Sequence, residues 1–67
     1  MLLFINNSPV EVPDSIKTIG TLLDHLRIKR QGTGVGINSR LVKAADLDNT
    51  PLKAEDRLTI ISATYGG

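Results

Sequence analysis

The segment TIGTLLDHL, residues 18–26, is the strongest structural signal in the sequence. Its apolar residues follow the i, i+3, i+4, i+7 spacing of an amphipathic helix: Ile19, Leu22, Leu23 and Leu26. Thr18 suits the N-cap position because its hydroxyl can accept a hydrogen bond from a free amide of the first turn. The stretch predicts one short helix with one apolar face, and that face needs a sheet to cover.

Two hairpins are predicted, one on each side of this helix. Residues 2–5 and 10–12 are apolar or alternating and flank Asn6 and Asn7, and residues 35–37 and 41–42 flank Asn38-Ser39. Asn tolerates the left-handed backbone that tight hairpin turns require. Each pair of runs therefore predicts two antiparallel strands.

A last strand is predicted at residues 58–61, which are mostly β-branched and apolar. It pairs most simply beside the first strand, and a single helical turn is expected at residues 44–47 before it. The result is an α+β fold in which a mixed sheet of about five strands is covered on one face by a single helix.

Composition limits the functions open to a chain of 67 residues. It has no Cys and one His, His25, so we expect no metal site and no converging catalytic set, and hence no enzyme activity of its own. A net charge of +1 and only two aromatic residues argue against nucleic-acid binding. The apolar run at residues 1–5 is too short for a signal peptide or a membrane span, so a cytoplasmic protein is expected.

The sheet face away from the helix is the first candidate binding surface. If Leu3 and Ile5 face the helix, then Leu2 and Phe4 face the other way, and Ile61 alternates with Ile60 in the same manner. We therefore predict an exposed apolar patch of Leu2, Phe4 and Ile61 that docks a partner. Self-association, or an error in strand parity, is about as plausible from the sequence.

The chain end is the second candidate site. The predicted division is a domain over residues 1–63 and a flexible tail over residues 64–67, ending in Gly66-Gly67. A diglycine tail can thread a narrow channel in another protein and present its α-carboxylate there. A carboxylate becomes a good acyl donor once it is adenylated, and this chain cannot supply the ATP and magnesium that the reaction needs, so a partner enzyme must use them.

The order and spacing of these segments resemble the ThiS family of sulfur carriers, ubiquitin-like β-grasp proteins, over nearly the whole chain. The resemblance is carried by the turn at Asn6-Asn7 and by residues 18–23, 37–42, 52–58 and 66–67. It implies that Gly67 is adenylated by a ThiF-type adenylyltransferase and converted to a thiocarboxylate. A sulfur donor protein would supply the sulfur, and the thiazole synthase ThiG would receive it in thiamin biosynthesis.

Two departures from the family pattern and two alternatives stay open at this point. Asn38-Ser39 stands where the family commonly has Asn-Gly. Tyr65 stands where many relatives have a third Gly. Tyr65 therefore either enters the partner's channel together with Gly66 or anchors at the mouth of that channel. The alternatives are a MoaD-like sulfur carrier for molybdopterin synthesis, with the same fold and tail, and a ubiquitin-like modifier or interaction module.

Overall fold

The computed structural model describes residues 1–62. Five strands and one α-helix follow the predicted order, with a 3-10 helix before the last strand. Their bounds are β1 Leu2–Ile5, β2 Ser8–Glu11, α1 Ile19–His25, β3 Gly34–Ile37, β4 Arg40–Val42, the 3-10 helix Ala44–Asn49 and β5 Arg57–Ile61.

The strands form one mixed sheet in the order β2-β1-β5-β3-β4. Strand β5 runs parallel to β1 and antiparallel to β3, while β1 with β2 and β3 with β4 form the two antiparallel hairpins. The predicted α+β architecture, including the last strand beside the first, is therefore confirmed.

Positive-φ asparagines make both hairpin turns tight. Asn6 and Asn7 have φ of 51° and 70°, and Asn38 and Ser39 have φ of 48° and 72°. Two consecutive left-handed residues give the twist that matches the flanking strands. Ser39 thus adopts the conformation for which Gly or Asn is better suited, so the predicted turn forms with less favourable chemistry.

Helix α1 begins at the predicted cap. The Thr18 hydroxyl accepts a hydrogen bond from the Thr21 amide, and the Thr21 hydroxyl accepts one from the Thr18 amide, which makes a reciprocal capping box. The helix ends at His25 with Leu26 as its C-cap, and Arg27 follows with φ of 60°. Its face toward the sheet is fully buried, with Ile19, Leu22 and Leu23 all at 0% exposure.

The core lies between α1 and one face of the sheet. Alternation along the strands places Leu3 and Ile5 of β1, and Leu58 and Ile60 of β5, on this face, and all four are buried. The remaining buried hydrophobic residues close the layer from β3 and the connections: Val12, Ile16, Ile28, Val35, Ile37 and Leu47. The predicted parity of β1 and β5 is confirmed.

The connection before β5 is longer than the predicted helical turn, because the 3-10 helix extends to Asn49. Leu47 is buried beneath it, and Asp48 forms a 2.8 Å ion pair with Arg30, which also contacts Asp24 of α1. A Cβ on Gly20 would come within 1.9 Å of the Asp48 carboxylate, so this helical glycine allows the close approach. These contacts fix the 3-10 helix against α1.

Leu23→Ala tests the one-sided core. We expect it to lower the free energy of unfolding by about 2–5 kcal/mol, because it leaves a cavity under the sheet. The matched control is Leu41→Ala, which removes the same atoms from the opposite face and should change stability by no more than about 0.5 kcal/mol. Urea titration followed by circular dichroism measures both, and equal losses would contradict a one-sided core.

Candidate functional site

The sheet face that α1 does not cover carries the first candidate site. Strand alternation and the observed pairing register assign to it Leu2, Phe4, Pro9, Glu11, Gly34, Gly36, Leu41, Arg57, Thr59 and Ile61. Within residues 1–62, the two large hydrophobic side chains that are strongly exposed, Leu41 and Ile61, both lie on this face. We call it the open face.

The predicted patch of Leu2, Phe4 and Ile61 is only partly correct. All three residues lie on the open face, but Leu2 and Phe4 are half-buried rather than exposed. Phe4 pairs with Arg57, and the Arg57 guanidinium lies 4.8 Å from the centre of its ring. Ile61 is four residues further along β5, about 13 Å away. The three side chains therefore do not form one continuous patch.

Ile61 instead belongs to an apolar groove that sequence reasoning missed. Gly34 pairs with Ile61 and Gly36 pairs with both Thr59 and Leu41, so the two glycines lie between two aliphatic side chains. Leu41 is 82% exposed and Ile61 is 61% exposed. The groove encloses about 280 Å³ and is lined in part by Gly34, Gly36, Leu41, Thr59 and Ile61. We call it the Leu41–Ile61 groove.

The sequence contains a signal that predicts the position of Leu41 on the open face. In the second hairpin Val35 and Ile37 belong to the core, and a two-residue turn at Asn38-Ser39 fixes the register of the returning strand. Leu41 then pairs with Gly36, whose side of the strand faces away from the helix. Applying the parity argument to this hairpin, as to β1 and β5, would have placed Leu41 beside Ile61.

On its β1 side, the end of β5 is held by a side chain rather than by strand pairing. Strand β1 ends at Ile5, but the side-chain Nδ2 of Asn6 donates to the Ile60 carbonyl at 2.9 Å, and the Ile60 backbone amide donates to Oδ1 of Asn6 at 2.8 Å. The Asn6 backbone amide also donates to the Leu58 carbonyl. The Asn6 side chain thus takes the place of a further β1 residue in pairing with β5. It holds Ile60, close to the end of β5, in position.

The predicted tail residues Tyr65, Gly66 and Gly67 lie outside the described residues, as does the predicted boundary at residue 63. Their roles stay predictions. What the structure places is the last described strand, in the middle of the sheet and beside the Leu41–Ile61 groove.

The buried carboxylate of Asp56 has a structural role. Its two oxygens accept hydrogen bonds from the Asn38 side chain at 3.0 Å and from the Lys53 backbone amide at 2.8 Å. The Asn38 oxygen in turn accepts from the Arg57 amide. These contacts tie the second hairpin turn to the start of β5, and they use the carboxylate as an acceptor on both sides.

Two features are absent from residues 1–62, a metal-ligand cluster and a membrane-spanning helix. Over that range no cluster of three or more His, Asp or Glu side chains could hold a metal ion, and His25 is exposed on α1. No helix of the described chain has the length and apolar character needed to cross a membrane.

The mixed five-stranded sheet, with a helix on one face and the last strand in its centre, defines a β-grasp protein of the α+β class. The chain belongs to the ThiS family, whose model matches residues 3–67. That match includes the tail and the final glycines, which the structural description does not reach.

Two solved structures share this fold. The crystal structure of a thiamine biosynthesis protein (ThiS) from Geobacter metallireducens has a TM-score of 0.81 at 23% identity, with both chains covered completely. A solution NMR structure of a thiamine biosynthesis protein from Geobacter metallireducens has a TM-score of 0.80 at 23% identity, and covers all of this chain and 88% of that one. No curated protein matches the sequence.

Asn6→Gly tests the clamp on β5. Glycine keeps the positive φ of the turn but removes both side-chain hydrogen bonds to Ile60, so we expect a loss of about 1–3 kcal/mol and faster hydrogen exchange of the Ile60 amide. Asn7→Gly is the matched control at the other left-handed turn position and should leave that exchange rate unchanged. Equal exchange rates in the two variants would exclude Asn6 as the clamp.

Proposed function

We propose that this protein is the sulfur carrier for thiazole formation in thiamin biosynthesis, with the Gly67 carboxylate as its reactive group. The observation that carries the proposal is the family match, which runs through Gly67 itself. A ThiF-type adenylyltransferase activates the chain end, a sulfur donor protein supplies sulfur, and the thiazole synthase ThiG receives it. The protein is the substrate of these enzymes and acts in the cytoplasm.

Activation makes the carboxylate a usable acyl donor. A carboxylate oxygen of Gly67 attacks the α-phosphorus of ATP. The bond between that phosphorus and the pyrophosphate oxygen breaks, and pyrophosphate leaves. A persulfide on the sulfur donor protein then attacks the acyl carbon and displaces AMP, which gives an acyl disulfide. A thiolate attacks the donor's sulfur in that disulfide, forms a new disulfide with the donor and releases the thiocarboxylate. The partner supplies ATP, magnesium and the stabilisation of the developing charge.

The composition of the chain agrees with such a carrier. It has no Cys, so no internal thiol can intercept the activated acyl group, and the thiocarboxylate would be its only strong sulfur nucleophile. Gly66 adds no side chain that would obstruct entry to a narrow channel, and Tyr65 marks where the slim part of the tail begins.

The open face supports the docking step of the proposal. Leu41 and Ile61 present exposed apolar surface next to the strand from which the tail continues. A partner that buries this surface would also receive the chain end, because the tail follows Ile61 closely along the chain. Docking through the Leu41–Ile61 groove, with Phe4 and Leu2 further along the same face, would therefore bring the tail to the partner in a defined direction.

The alternatives use the same fold and differ in the fate of the chain end. A MoaD-like carrier would pass sulfur to molybdopterin synthesis, and a modifier would form an isopeptide bond. The ThiS family match favours the thiazole pathway over both.

Thiocarboxylation is measured by intact mass. After incubation with ATP, magnesium, the activating enzyme and a sulfur source, we expect the mass to rise by the difference between one sulfur and one oxygen atom. Deletion of Gly67 should abolish the shift, because the remaining chain no longer presents its carboxylate at the reacting position. An unchanged mass with an enzyme that is active on its own carrier would argue for an interaction module.

Ile61→Glu and Leu41→Glu test the docking surface. Each places a charge in the groove, and we expect each to weaken binding to the activating enzyme by about tenfold or more. Phe4→Glu should have a smaller effect, because Arg57 already covers that ring. The control is Gln31→Glu, which makes the same charge change at an exposed site outside the open face. Native-like spectra with unaltered affinity for all four variants would exclude the open face from the interface.

A further inference from the structure

Arg57 is the one cationic residue that strand alternation places on the open face within β1 to β5. Its side chain is exposed, and its guanidinium lies 4.8 Å from the centre of the Phe4 ring. Within residues 1–62, no ion pair or hydrogen bond engages this guanidinium. Arg30, by contrast, binds both Asp24 and Asp48. Arg57 therefore carries an uncompensated charge on the open face.

The one acidic residue that the strands place on the open face does not neutralise this charge. Glu11 lies on β2, and β1 separates that strand from β5. In the register of the first hairpin it pairs with Leu2, whereas Arg57 lies beside Phe4. The Glu11 carboxylate contacts the Met1 amino group at 3.0 Å instead. A carboxylate that neutralises Arg57 on this face must therefore come from another molecule.

The Phe4 ring prepares Arg57 for such a contact. A guanidinium over an aromatic face is held there by the cation–π attraction, and it is more weakly hydrated than an ammonium group. A side chain that is ordered before binding loses less conformational freedom when its partner arrives. The planar fork of N–H donors also matches the two oxygens of a carboxylate. Arg57 is thus suited to bind an Asp or Glu side chain of a second protein.

Arg57 and the Leu41–Ile61 groove are two separate contact points on the same face. Arg57 and Ile61 are four residues apart on β5, which corresponds to about 13 Å. A partner held only at the groove could still rotate about that contact. A second contact of different chemistry at Arg57 removes this freedom and fixes the direction of β5 on the partner surface.

We propose that Arg57, supported by Phe4, is the anion-recognition point of the open face and binds a carboxylate side chain of the protein that docks in the Leu41–Ile61 groove. This role of Arg57 rests on the proposed function, in which that protein is the activating enzyme. The enzyme surface would carry an Asp or Glu about 13 Å from the apolar group that enters the groove. Surfaces with Lys or Arg at that point would be repelled, so the charge also selects among partners.

Calorimetric titration of the full chain with the activating enzyme, at low and at high salt, tests the ion pair. We expect Arg57→Gln to weaken binding about tenfold at low salt, and the loss should shrink as added salt screens the exposed charges. Arg57→Lys keeps the charge but lacks the planar fork, so it should weaken binding less. Phe4→Leu removes the ring beneath the guanidinium and should cost about two- to fivefold in affinity.

Arg27→Gln is the matched control. It makes the same change at an exposed position just after α1, the helix that covers the other face of the sheet, and Arg27 joins no ion pair within residues 1–62. Its affinity for the enzyme should equal that of the unmodified protein. Equal losses in Arg27→Gln and Arg57→Gln would show a general attraction between charged proteins and would overturn the proposal.

Charge reversal tests the nature of the partner group. Arg57→Glu should bind more weakly than Arg57→Gln, and replacement of one interface Asp or Glu of the enzyme by Lys should restore its binding. Unchanged affinity of Arg57→Gln with a native circular dichroism spectrum, or failure of every such replacement to restore Arg57→Glu, would overturn the role of Arg57. The mass shift on thiocarboxylation is a separate readout and would leave the proposed function standing. An unmodified protein that neither binds the enzyme nor gains mass would overturn both.

Discussion

Strand β5 lies in the middle of the sheet, hydrogen-bonded to β1 in parallel and to β3 in antiparallel orientation. The two hairpins meet only through this strand, since β1 and β3 are not neighbours in the sheet. Parallel pairing with β1 covers only Phe4 with Arg57 and Ile5 with Leu58, and the Asn6 side chain extends it to Ile60. The chain therefore continues toward Gly67 from the strand that joins the two hairpins.

The two faces of this strand have different surroundings. Leu58 and Ile60 are buried beneath α1, where aliphatic packing must stabilise a domain that has no disulfide and little more than sixty residues. Thr59 and Ile61 face the other way, beside Leu41 and the two glycines of β3. One short helix can cover only one face of a five-stranded sheet, so the second face is available for contact with other surfaces.

Local sequence signals predicted much of this arrangement. The spacing in residues 18–26 defined the helix and Thr18 its cap, and Asn6-Asn7 and Asn38-Ser39 defined the turns, because these features depend on near neighbours. Register between distant strands could not be read in the same way. Phe4 and Ile61 share a face, as predicted, but parallel pairing at Arg57 separates them along the sheet. The Asn6 contact with Ile60 spans 54 positions, and its turn signal gave no indication of this second role.

The proposed role requires that sulfur carried at Gly67 is destined for thiazole synthesis. The most direct measurement supplies the thiocarboxylated protein, labelled at its terminal sulfur, in parallel to thiazole synthase and to the large subunit of molybdopterin synthase. We expect the label to enter the product of thiazole synthase and the carrier to return to its carboxylate mass. Transfer to the molybdopterin enzyme alone would exclude the proposed role.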